Sequence, residues 1–181
     1  MNKWGFSTVW GGYTPFTAED IAALIAEQGP TQMDSLVRQV SRLWGYSRGG
    51  DSIRVNIIDA ARRAERDHKV RIAGRPAFVY PVANCPGTIR ITESGDQRDP
   101  DEIPLEEYHL ALWLAVSVSG GSVEVQDAQR IGAGLLGFQR LTANLTDRFR
   151  EAINQSTQIE SSPYSNVDSP LILDGDRLVM K

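Results

Sequence analysis

Ten basic side chains fall between Leu36 and Arg75: Arg38, Arg42, Arg48, Arg54, Arg62, Arg63, Arg66, Lys69, Arg71 and Arg75. Four acids share the stretch (Asp51, Asp59, Glu65, Asp67), so its local charge is 10 − 4 = +6 in a chain of formal net charge −4. Guanidinium and ammonium groups at this density suit phosphate, which they bind through charge-assisted, salt-sensitive hydrogen bonds. The candidate nucleic-acid contacts are Arg48, Arg54, Asn56, Arg62, Arg63, Lys69, Arg71 and Arg75. Asn56 is the member able to read an adenine edge, and the cations hold phosphates. Asp59 on the same stretch opposes that chemistry. The competing reading is a set of solvated helix faces with i,i+4 pairs such as Asp59 with Arg63. From Glu102 onward the balance reverses, with six basic residues against eleven acidic ones (6 − 11 = −5). An acidic partner unit points to protein contact or packing rather than to nucleic acid.

Catalytic and metal chemistry finds no comparable footing. There is no Walker loop, no Gly-x-Ser-x-Gly elbow and no Cys/His zinc spacing. His68 and His109 are isolated, and neither has a cysteine or second histidine at ligand spacing. Asp99-Pro100-Asp101-Glu102 is superficially like a nuclease acidic cluster, yet no Glu-x-Lys strand follows, so these acids read as solvated. No cofactor and no metal are expected, and the chain reads as a non-enzyme. Cys85 stands alone, which excludes an internal disulfide and fits a reducing, cytoplasmic setting. No apolar run is long enough to span a bilayer.

The elements that must position the cations repeat. Leu43-Trp44-Gly45-Tyr46-Ser47-Arg48 returns as Leu135-Leu136-Gly137-Phe138-Gln139-Arg140, an offset of 137 − 45 = 92 residues. The register holds on both sides: Gly29 meets Gly121, Arg38 meets Arg130, Ile53 meets Leu145, Ile57 meets Phe149 and Ala60 meets Ala152. Two copies of one supersecondary unit follow, each near the lower size limit for a self-sufficient core, so the copies should lean on each other. Trp44 and Leu136 end equivalent apolar stripes and should both be buried. Gly45 and Gly137 should stop their helices at positive φ, and Arg48 and Arg140 should cap the carbonyls just before them.

In the first copy Thr17 caps one helix and Gly29-Pro30 ends it. Thr31 is expected to cap a second helix, and Asp51 or Ser52 a third that runs to about Asp67. Val70-Arg71-Ile72 and Ala77-Phe78-Val79-Tyr80 then read as a hairpin. The second copy has helices from Pro104 to Val118, after Ser122, and after Thr142 or Asn144. Its closing hairpin turns at Asp174-Gly175-Asp176, and a polar loop precedes it between Gln155 and Pro170. Thr88–Thr92 alternates like a strand that extends the first hairpin sheet. The expected organisation is an aromatic arm at 1–12, a winged helix at 13–81, a linker at 82–101 and a second winged helix at 102–181. The fold class is mainly α with small β-hairpins (α+β), a tandem winged helix-turn-helix repeat.

Trp44-Gly45-Tyr46, Arg48, Gly50 and Ile53-Arg54, after an alternating apolar helix, carry a resemblance. They are similar to an uncharacterised winged-helix-like domain at the C-terminus of large bacterial helicase proteins that also hold a restriction-endonuclease-like module. The resemblance covers about Phe16–Arg66 and is partial in the second copy, where Leu136 replaces the Trp and Thr146 the Arg. It implies a helicase-associated accessory module and carries over no catalytic residues. The leading expectation is a module that binds double-stranded DNA through the third helix and wing of the first copy. The alternative is a protein–protein interaction adaptor. The partners these imply are duplex DNA, or a helicase or nuclease subunit, and no membrane.

Overall fold

A computed structural model describes residues 16–43, 45, 50–82, 89–90, 98–158 and 171–180 of the chain. The aromatic arm 1–12, Trp44, Arg48, Cys85 and most of the 88–92 strand and of the 155–170 loop lie outside these residues.

The first half runs α1 (Ala18–Gln28), β1 (Thr31–Gln32), α2 (Met33–Leu43), α3 (Asp51–Arg66), β2 (Val70–Ala73) and β3 (Phe78–Pro81). A short 3-10 turn, Pro100–Glu102, leads into the second half: α4 (Leu105–Val118), β4 (Ser122–Glu124), α5 (Val125–Leu135), α6 (Ala143–Gln158), β5 (Leu171–Asp174) and β6 (Arg177–Met180). The protein is thus α+β, with two small antiparallel sheets of three strands each, ordered β1-β3-β2 and β4-β6-β5. Order and topology repeat together. Both α2 and α3 reappear as α5 and α6 at the 92-residue offset (125 − 33 and 143 − 51) with equal lengths, 11 and 16 residues. The hairpins break the register: β5 begins 171 − 70 = 101 residues after β2.

Local chemistry explains the boundaries, with several corrections to the expected caps. Thr17 caps α1 in a capping box, its hydroxyl accepting from the Asp20 amide at 3.2 Å while Asp20 accepts from the Thr17 amide at 3.0 Å. Gly29 ends α1 at φ +79°. Thr31 does not cap α2; it pairs with Val79 in the sheet. The cap falls to Gln32, whose Oε1 accepts from the Ser35 amide at 2.9 Å. Ser122 is likewise a strand residue, and the first amide of α5, Val125, donates to the Asp176 carbonyl at 2.9 Å. Met33 does the same toward Ala77 at 2.9 Å, so in both halves the hairpin backbone satisfies an orphan helix amide. Gly50, not Asp51 or Ser52, precedes α3, and it offers no side-chain cap. Its counterpart Thr142 does cap, accepting from the Leu145 amide at 3.3 Å. Gly45 and Gly137 adopt φ +78° and +89°, as a helix stop requires. Arg140 is exposed and, among the described residues, caps no carbonyl.

Each half has its own core. Ile21, Ile25, Leu36, Val40, Ile57 and the Ala60/Ala61/Ala64 face of α3 pack with Val70 and Val79. In the second half Tyr108, Leu112, Val116, Leu145, Phe149 and Leu178 take those roles, with Tyr108 and Phe149 edge-on at 5.0 Å. Leu136 is buried as expected. Ile89 packs against this second core rather than extending the first sheet.

Candidate nucleic-acid interface

Helix α3 turns Ile57, Ala60, Ala61 and Ala64 inward. Its outermost line is Val55, Asp59, Arg62 and Arg66, spaced by four, three and four residues and all exposed. Arg63 is exposed beside this line. Arg66 thus belongs to the face although sequence reading left it out; the 3.6-residue period places it one turn past Arg62. Asn56 lies on the flank of this face, at nearly the angle of Arg63 seven residues on. It is half-buried, and its counterpart 92 positions on is Arg148, which is buried and donates to the Ile103 carbonyl at 3.2 Å.

The hairpin that follows α3 supplies the second part of the surface. Arg75 stands exposed in the β2–β3 turn. Arg71 is exposed on β2 with its guanidinium 4.3 Å from the centre of the Tyr80 ring, a cation–π contact that orients it without neutralising it. Two other candidates are already paired. Arg54 donates to Asp34 at 2.6 Å, and Lys69 binds Glu19. The Lys69 hydrogen bond holds the Glu19 carboxyl below its usual range, and the same bond raises the Lys69 pKa. Arg48 lies outside the described residues. Asp59 and Arg63 form no ion pair among the described residues.

Those two pairs change the electrostatics. Helices α1 and α2 add Glu19, Asp20, Glu27 and Asp34, of which Glu19 and Asp34 meet the basic stretch, so residues 16–82 carry 10 − 8 = +2. The stretch 36–75 is basic in sequence; folded, the cations of α3 and its hairpin split, among the described residues, into a paired set (Arg54, Lys69) and an unpaired set (Arg62, Arg63, Arg66, Arg71, Arg75). Arg38 is exposed but already in use, pairing with Glu102 beyond the connecting segment. The 99–102 acids are therefore not simply solvated. Asp99 accepts from the Asp101 amide at 2.9 Å and closes the 3-10 turn.

The equivalent line on α6 reads Asp147, Glu151, Asn154 and Gln158. Asp147 and Glu151 pair with Arg150 and Arg148 at 2.5 and 2.7 Å. Beside it, between α5, α6 and the β5–β6 turn, lies a cavity of about 520 Å³ with Val125, Leu141, Ile153 and Leu173 in its wall. Among the described residues no three His, Cys, Asp or Glu side chains gather as a metal site, and no helix is long and apolar enough to cross a membrane. Compared with protein-family models, with curated proteins and with solved structures, the chain has no match in any of the three.

Proposed function

We propose that the chain is a non-enzymatic tandem winged-helix module that binds double-stranded DNA through α3 and the β2–β3 hairpin, as an accessory to DNA-processing machinery. The element order, with β1 laid beside β3 and only residues 44–50 between α2 and α3, supports the winged-helix reading. The observation that carries the DNA reading is the unpaired set itself. Arg62 and Arg66 share the outer line of α3, with Arg63 beside it and Arg71 and Arg75 on the adjoining hairpin. The same helix line in the second half is acidic and neutral. Helix and wing cations of this kind bind duplex backbone with little base selectivity. A second reading has its own observation. The cavity of the second half, where Val125, Leu141, Ile153 and Leu173 sit among Gln126, Gln129, Arg130 and Arg150, favours protein docking there, an adaptor role for α5 and α6.

The test is fluorescence anisotropy on a labelled 20-base-pair duplex at low salt. Changing Arg62, Arg66 and Arg75 together to Gln should weaken binding by about tenfold or more. Changing Arg130 and Arg150 to Gln should leave it intact. Lys69 is a poor choice for charge reversal, since Lys69→Glu sets a carboxylate against Glu19 and perturbs the α1 contact. No binding at low salt removes the DNA reading and leaves the adaptor.

A further inference from the structure

Glu107 is 1% exposed, on the first turn of α4, and both of its carboxylate oxygens are occupied. Oε1 accepts from Arg90 Nε at 2.7 Å and Arg98 Nη1 at 3.2 Å; Oε2 accepts from Arg98 Nη2 at 2.5 Å and the Arg90 amide at 3.2 Å. A buried carboxylate is tolerated only when paired and hydrogen-bonded in this way. Arg90 does more than neutralise it. Its Nη1 donates at 2.9 Å to the carbonyl of Gln28, the last residue of α1, where a cation also suits the helix dipole. One guanidinium therefore touches both halves.

The repeat isolates this contact as a specialisation. Gly29 and Gly121 are equivalent and share a positive φ, +79° and +91°. A Cβ on Gly121 would meet nothing within 4 Å, whereas one on Gly29 would lie 3.4 Å from Arg90 Nη1. Two further bonds come from the same acidic edge. Glu106 accepts from the Tyr80 hydroxyl at 3.1 Å, and Glu102 pairs with Arg38. Tyr80 is also the ring under Arg71, so the hairpin of the first half is tied to α4 of the second.

We propose that Glu107, Arg90 and Arg98 form a buried ionic lock that makes the two halves one cooperative unit, with Arg90 as the positioning residue that spans them. The lock is independent of the DNA reading. Arg90 and Arg98 are 27% and 14% exposed, so salt screens them far less than it screens the Arg38–Glu102 pair, which is 53% and 31% exposed. The coupling should survive about 1 M salt, where the Debye length is ~3 Å.

The experiment is thermal unfolding together with amide hydrogen exchange on the whole chain without nucleic acid. The native protein should unfold in one transition, at low and at high salt, with the slowest amides of α1, β3 and α4 sharing one opening equilibrium. Arg90→Ala should split the transition in two and lower protection across α1 and β3 by about ten- to hundredfold, the size of one lost hydrogen bond to a charged group. Arg98→Ala should weaken both halves within a single transition, and Arg38→Ala should leave the transition unchanged. Should Arg90→Ala fail to fold, Arg90→Lys decides. An ammonium cannot reproduce the two-sided fork, so partial splitting is expected, and native behaviour overturns the lock. Two transitions in the native protein, or a loss confined to the amides at 28–30 in Arg90→Ala, would overturn it equally.

Discussion

If the chain binds duplex as proposed, the salt dependence of that binding should separate the cations that face solvent alone from those already held by a carboxylate. The sequence offers seven cationic candidates, Arg48, Arg54, Arg62, Arg63, Lys69, Arg71 and Arg75. If all met phosphate, log K would fall against log salt with a slope of about −6, a loss of some thousands-fold from 50 to 200 mM. The fold pairs Arg54 with Asp34 and Lys69 with Glu19, and it adds Arg66 to the outer line of α3. Five unpaired cations give a slope of about −4.5 and a loss of about 500-fold over the same range. Paired cations contribute less because a protein carboxylate already neutralises them, so they displace fewer of the counterions condensed on the duplex.

That reasoning carries its own perturbation. Glu19→Gln with Asp34→Asn frees Lys69 and Arg54 while keeping the shape of both acids. Binding at low salt should tighten and the slope should steepen toward about −6. Anisotropy titrations on one duplex at four or five salt concentrations measure both quantities. A slope flatter than about −2, or one that the double substitution leaves unchanged, refutes the division into paired and unpaired cations.

Other outcomes test single positions. Asp59→Asn should strengthen binding to every duplex alike, because it removes the one carboxylate on the outer line of α3; a weaker complex would mean that Asp59 reads a base donor. Gly132 and Gly134 lie in the same helix, and a Cβ on Gly132 would meet the Phe149 ring at 3.0 Å while one on Gly134 meets nothing within 4 Å. Gly134→Ala should therefore stabilise by about 0.5–1 kcal/mol, whereas Gly132→Ala should destabilise by about 1–2 kcal/mol, as read by urea unfolding. Burial pushes the His109 pKa down to about 4, so the folded state binds fewer protons than the unfolded one between there and 6.5. Stability should be full above pH 6.5 and fall as pH drops toward 4, by up to roughly 3 kcal/mol, and His109→Gln should flatten that slope.

The helices were legible because their signals are local and repeated. The positions of α2 and α5, and of α3 and α6, follow from a 92-residue offset anchored at Gly45 and Gly137, whose positive φ angles explain why glycine recurs there. Strands β1 and β4 were not legible. Two or three residues carry no period of their own, and they become strands only because the later hairpin offers an edge. Thr31 and Ser122 looked like caps for the same reason, since a hydroxyl before an apolar stripe suits either role. The charge reading failed at long range. Glu19 is 50 residues from Lys69, so no window along the chain could pair them. Asn56 offered no such signal either: its counterpart 92 residues on is Arg148, a residue type that reads as solvent-facing, and only the fold shows that it is buried. Glu107 gave no signal, because an acid in a first helical turn already has a sufficient explanation in the helix dipole.

The two halves share a backbone plan and differ in where their charges go. In the first half the acids of α1 and α2 neutralise two cations, and five others remain on α3 and its hairpin. In the second half the outer line of α6 is closed by its own i,i+3 pairs, Asp147 with Arg150 and Arg148 with Glu151. Glu102, Glu106 and Glu107 of its N-terminal edge receive Arg38 and Tyr80 of the first half and Arg90 of the connecting segment. An excess of acid in the second copy therefore need not advertise an acidic outer surface, because its N-terminal edge is spent inward.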